Sequence, residues 1–127
     1  MFLLVFGVLD FSLALNDYNQ LSQLAGQGAR AASVNRCPDG TALGACSIQS
    51  QLNTTYAQGG MKNNTTINVC LPSGAGVGKP VKVTATYHFR VIPLFQPIVG
   101  GGTGINITAS QTVRQEIAYT GTTNPCP

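Results

Sequence analysis

The first fifteen residues, MFLLVFGVLDFSLAL, constrain this chain more than any other stretch. They hold no basic side chain and one acid, Asp10. A secretory signal needs a basic segment ahead of the apolar run and small residues after it. Neither is present. As a helix, positions 1–15 cover about 22 Å, against roughly 30 Å of membrane hydrocarbon. The run therefore reads as neither a complete signal nor a complete span. It is apolar on all sides, which suits lipid or a bundle of helices better than packing on one face. The expectation is the distal end of a longer apolar helix; an ordinary buried helix is the alternative.

No proline interrupts the helix as far as position 35. Tyr18, Leu21, Ala25, Gly28 and Ala32 recur at steps of three and four, which makes one stripe. The stripe changes from large to small side chains along its length. Gly26, Gly28, Ala29 and Ala32 form a smooth face, and each glycine costs helix stability. Such a cost is tolerated where another backbone comes close. The helix is expected to end near Asn35 and Arg36, before Cys37 and Pro38.

Positions 47–58 read as a short second helix that stops at Gly59 and Gly60. Three period-2 patterns follow. In 66–71 the inward residues are Ile67, Val69 and Leu71. In 81–91 they are Val81, Val83, Ala85, Tyr87, Phe89 and Val91. In 105–119 they are Ile105, Ile107, Ala109, Val113, Ile117 and Tyr119. This alternation predicts antiparallel strands with one wet face. A sheet with one apolar face needs a cover, and the second half of the first helix is long enough to provide it. The fold class is α+β: a long N-terminal helix with a projecting apolar half, packed on a three- to four-stranded antiparallel sheet. The division is a helix at 1–36 and a β-rich head at 37–127. An apolar connection at 92–104 carries Leu94, Phe95, Ile98 and Val99. It is expected to fold back on the sheet edge or to meet a neighbouring subunit or membrane.

Only 9% of the 127 residues are charged, against roughly a quarter in an average soluble domain. Such a surface is common in chains that live outside the cell or pack against copies of themselves. The basic residues are scattered without interleaved aromatics, which argues against nucleic acid. The four cysteines, Cys37, Cys46, Cys70 and Cys126, contain no C-x-x-C pair, and the chain has one histidine. Two disulfides in an oxidising compartment fit better than a zinc site. Three pairings are open. The favoured one joins Cys37 to Cys46 around Pro38-Asp39-Gly40, and Cys70 to Cys126.

Residues 73–80, SGAGVGKP, approach the phosphate-loop pattern. Ser73 replaces its first glycine, Pro80 replaces its hydroxyl, and a strand follows instead of a helix. A flexible loop is the better reading. The glycines at 100–104 sit in a hairpin connection and are discounted equally. His88 has no nucleophile assigned to it and reads as a surface residue. Glu116 and Arg114 are expected on one strand face, with Arg90 across from Glu116. The acids Asp10, Asp17, Asp39 and Glu116 are dispersed, so no two-carboxylate hydrolase is supported. No metal, cofactor or catalytic group is expected. Asn53, Asn63, Asn64 and Asn106 head N-x-[ST] acceptor sequences for glycosylation.

The apolar run and the helix after it resemble the N-terminal signature of TadE-like proteins, pilin-like subunits of Tad pili. Gly7, Val8, Leu9, Asp10 and Phe11 match its Gly-hydrophobic-hydrophobic-Asp-Phe motif, and positions 28–32 its Gly-Ala-Arg-Ala-Ala motif. The stretch 112–116 is similar to the family's C-terminal part. The family usually has a longer apolar segment preceded by a prepilin-peptidase site, so this sequence is expected to start partway along that pattern.

The resemblance implies a pilin-like fold without enzymatic activity, in a subunit of an extracellular filament or of its assembly complex. Its partners would be copies of itself or other pilins, the assembly machinery, and the membrane before assembly. The assembly surface would comprise Phe2, Leu3, Leu4, Val5, Phe6, Val8, Leu9, Asp10, Phe11, Leu13 and Leu15. Asp10 would be costly in a dry bundle unless paired, which predicts a cationic partner from another subunit. A minor priming pseudopilin and a small secreted adhesion module are the alternatives.

Overall fold

The architecture was read from a computed structural model, which describes residues 1–43, 45–90 and 104–126. The first element, α1, is one unbroken helix, Phe2–Ser33. At 1.5 Å per residue it is about 48 Å long. Its end is set by Asn35, whose φ of 54° is left-handed. The Arg36 N–H reaches the Ala31 carbonyl at 3.0 Å and the Asn35 N–H reaches Ala32 at 3.3 Å. This paired closure satisfies carbonyls that the helix leaves open, and asparagine is a residue that tolerates the required backbone.

A nine-residue disulfide loop follows, from Cys37 to Cys46. Ser47 then caps a short helix, α2, Ile48–Gln51, by accepting from the Ser50 N–H. The helix widens into a π turn, Leu52–Tyr56, in which the Ala57 N–H reaches back to Leu52 at 2.8 Å. A single 3₁₀ turn, Gly59–Met61, begins on a left-handed Gly59.

Three strands form one antiparallel sheet in the order β1, β2, β3: Thr65–Cys70, Pro80–Phe89 and Ile105–Arg114. Val69 pairs with Val83, and Ala85 with Ala109. The inward set of β2, with Val81, Val83, Ala85 and Phe89 buried, follows the alternation in its sequence. The second half of α1 covers this face. Leu21, Leu24, Ala25, Ala29, Ala31 and Ala32 share one core with Ile48, Leu52, Val69, Val81 and Val83.

Several boundaries differ from the sequence reading. Tyr18 is 47% exposed, so the buried stripe starts one turn later, at Leu21. The third strand stops at Arg114 instead of running to 119. There the chain turns across the end of α1, and the N–H groups of Glu116 and Ile117 both bind the Ser33 carbonyl. Ile117 is consequently exposed rather than inward. Glu116 lies off the strand, beyond the Pro80 to Arg114 pair, whereas Arg90 follows the other end of β2. Roughly 30 Å of strand separates them, so the expected pair does not form. Ile105, at the hairpin end of the sheet, is exposed among the described residues. Val91 and the apolar connection at 92–103 lie outside the described residues.

Candidate functional site

The two ends of α1 have different surroundings. From Leu21 onward its inner face is covered by β2 and β3. Ahead of that, about 28 Å of helix projects without cover among the described residues. Ten large apolar side chains in this projection are exposed: Phe2, Leu3, Leu4, Val5, Phe6, Val8, Leu9, Phe11, Leu13 and Leu15. Phe2 is 79% exposed and Leu9 is 51% exposed. A contiguous apolar patch of this kind marks an interaction surface.

Residues seven apart on a helix fall within about 20° of one another. The line that faces the sheet through Gly28, Leu24 and Leu21 therefore runs on through Asp17, Ala14, Asp10 and Gly7. These four are partly shaded by their larger neighbours. Both carboxylate oxygens of Asp10 are out of solvent contact, with no hydrogen-bond partner among the described residues. Burial raises the pKa of Asp17 above the usual carboxylate value. The face that the sheet covers in the head thus continues into the projection as a narrow acidic seam.

Within the small-residue face, Gly28 has a specific role. A Cβ there would stand 2.7 Å from Leu52 Cδ1 and 3.0 Å from Val83 Cγ1. Glycine lets the helix backbone sit between the π turn and β2. Ala29 and Ala32 are fully buried beside it. Gly26 lies off this face: a Cβ would meet nothing within 4 Å.

The cysteines pair as Cys37 with Cys46 and Cys70 with Cys126. Cys37, Asp39 and Cys46 come close enough together to suggest a metal centre. Their sulfurs are covalently joined, which leaves a single carboxylate. That carboxylate is occupied: Asp39 Oδ1 accepts from the Thr41 hydroxyl at 2.7 Å and the Thr41 N–H at 2.9 Å, and Oδ2 from Gln51 at 2.8 Å. These bonds, the Thr41 hydroxyl first, hold its pKa below the usual value.

The glycine-rich stretch at 73–80 is held by a residue that the sequence reading passed over. Gln115 is 1% exposed. Its Oε1 accepts from the Gly76 N–H at 3.3 Å and the Tyr119 N–H at 2.9 Å, and its amide nitrogen donates to the Gly74 carbonyl at 3.4 Å. Its backbone also binds Gly78 and Lys79. The loop is organised around this amide rather than left loose, and its N–H groups at 76 and 78 are spent within the chain. A clue was present, because position 115 has the inward parity of Val113.

The four glycosylation sequences differ in surroundings. Asn53 is partly buried, and its Oδ1 accepts the Thr65 N–H at 3.2 Å. Asn63 is exposed in a left-handed turn. Asn64 donates to the Gly60 carbonyl at 2.9 Å. Asn106 is exposed on β3 and pairs with His88 Nδ1 at 2.8 Å.

Residues 1–30 match the family model of TadE-like proteins. The match covers the projecting half of α1 and most of its packed half, and includes the motif around Asp10. No curated protein and no solved structure matches the chain. Among the described residues, no helix is long and apolar enough to cross a membrane.

Proposed function

From the TadE-like match over residues 1–30, we propose that this chain is a structural subunit of an extracellular Tad filament, of the type IV pilus-like kind. The observation that carries the reading is the division of α1. One half is locked into a disulfide-stapled head, and the other presents ten apolar side chains to solvent. Moving each such side chain into a bundle contributes about 1.5–3 kcal/mol. Copies of the same helix can supply that bundle. Before assembly the apolar half would rest in the membrane, handled by the pilus assembly machinery. The head, with few charges and many Thr, Asn and Ser side chains, would form the outside. The reading involves no catalytic step and no cofactor.

The test is to express the chain with its assembly machinery, shear the cells and image the released material by negative stain. Filaments built mainly of this chain are expected. Replacing Leu9 with Lys should abolish them while leaving the disulfide-bonded head folded. Monodisperse particles from the native chain would overturn the reading. Filaments in which the chain is present in only a few copies would move it to a priming pseudopilin.

A further inference from the structure

Three side chains carry all the formal charges within α1: Asp10, Asp17 and Arg30. Their placement on the helix is informative. Asp10 and Asp17 lie within about 20° of each other, on the line that continues the sheet-facing stripe. Arg30 comes twenty residues after Asp10, which puts it about 160° around the helix and about 30 Å along it. The two signs occupy opposite sides and opposite ends. They cannot meet within one chain, but they are arranged to meet between chains offset along the helix axis.

Arg30 does not stand on a bare surface. It lines a groove of about 640 Å³ between the last turns of α1 and the Cys37 loop. Ala31, Val34 and Tyr56 give the groove apolar walls, and Arg36 adds a second guanidinium. Glu116 lines it too, so the groove's net formal charge is positive. Arg30 and Arg36 are both exposed. At the other end of the molecule, the Asp10 carboxylate is shielded from solvent and without a partner among the described residues.

We propose that this groove receives the projecting half of α1 from a second copy of the chain, with Asp10 of the incoming helix against Arg30. The proposal rests on the filament reading and names the contact that sets its register. For parallel helices the offset is twenty residues, about 30 Å. At that offset Asp17 comes level with position 37, beside Arg36. The apolar walls take the Leu and Phe side chains flanking Asp10, and the two cations face the acidic seam. The contact is head-to-tail, so it propagates into a filament instead of closing a dimer.

Charge reversal tests this in the full chain expressed with its assembly machinery. Asp10→Arg alone and Arg30→Asp alone should each lower the yield of sheared filament by about a hundredfold, because like charges then face each other. The double reversal should recover the yield to within about threefold of the native chain. Arg30→Gln, which keeps the stem of the side chain and loses its charge, should cost about tenfold. Lys82→Glu, on β2 and outside the groove, should assemble normally. Thermal unfolding of each variant's detergent-solubilised subunit should match the native chain. If the native chain forms no filaments, the filament reading falls and this inference with it. If it does form them, but either reversal assembles at the native level or the double reversal does no better than the singles, the pairing alone is overturned.

Discussion

The two halves of α1 are a single helix with two kinds of sequence. The first half carries large apolar side chains around most of its circumference, apart from the seam of Gly7, Asp10, Ala14 and Asp17, and leaves them exposed. The second half buries its inner face, with Leu21 and Leu24 first and then the small residues Ala25, Gly28, Ala29 and Ala32. The halves differ because one has a sheet opposite it and the other does not. Within the head, the covering sheet is fixed by the same chain, so the helix is brought close and small residues fit. In the projection the described residues leave the helix uncovered, and under the proposed filament reading its large side chains supply the surface that assembly would bury. Helix propensity does not separate the halves; what lies opposite them does.

The head depends on its staples, and the largest effect is expected there. Reducing the Cys70 to Cys126 bond, or replacing Cys126 with Ser, releases a 56-residue loop. By chain entropy this costs about 4 kcal/mol, measurable by denaturant unfolding of the head, while the projection stays helical in detergent. If the head were unaffected, the tail would not be holding it.

Truncating one leucine in each half sharpens the contrast. Leu21 is fully buried, so Leu21→Ala should cost about 2–5 kcal/mol of head stability. Leu9→Ala should change head stability by less than about 0.5 kcal/mol. A similar loss at both positions would mean that the projection is part of the head's core.

The glycines give a smaller version of the same test. At Gly26 the added methyl meets open space, so Gly26→Ala should stabilise the head by about 0.5–1 kcal/mol through helix propensity. At Gly28 the same change pushes against Leu52 and Val83, and overpacking of about 1–3 kcal/mol should exceed that gain. Thermal unfolding should order the variants as Gly26→Ala, native, Gly28→Ala.

The smallest effect is expected at Asp39. Its folded pKa is lowered by Thr41 and Gln51, so its contribution is complete at neutral pH. That contribution fades as pH falls below about 5 and is lost once the folded-state carboxylate is protonated. The difference in Tm between the native chain and Asp39→Asn should therefore shrink as the solution is acidified. A difference that grew with acid would reverse the assignment.

Much of this fold is legible in the sequence because its elements have clean periods. The absence of proline up to position 35 marks the long helix. The alternation in β2 marks which residues face the core. Pro38-Asp39-Gly40 marks the turn enclosed by the first disulfide. What stayed hidden depends on contacts between distant segments. Gln115 shares the inward parity of Val113, but its role as a hub comes from a loop about forty residues earlier that needs an amide. The strand's end at Arg114 is set by the Ser33 carbonyl, on another element altogether. Gly26 and Gly28 look alike in sequence and differ only in what stands opposite them. The acidic seam is half legible: Asp10 stands out within the apolar run, but its alignment with Asp17 and the sheet-facing line needs the helix register.

The tail after Gln115 binds the Ser33 carbonyl, then the Asn35 side chain through Thr120, then the Val69 carbonyl through the Asn124 N–H, and ends in the bond to Cys70. It ties the end of the first element to the outer strand of the sheet. Synthesis delivers these residues after the helix and all three strands. A chain still leaving the ribosome carries α1 while the clasp of its head is missing. The order of synthesis therefore separates the two halves in time: the projecting helix emerges first, and the head is sealed when Cys126 arrives.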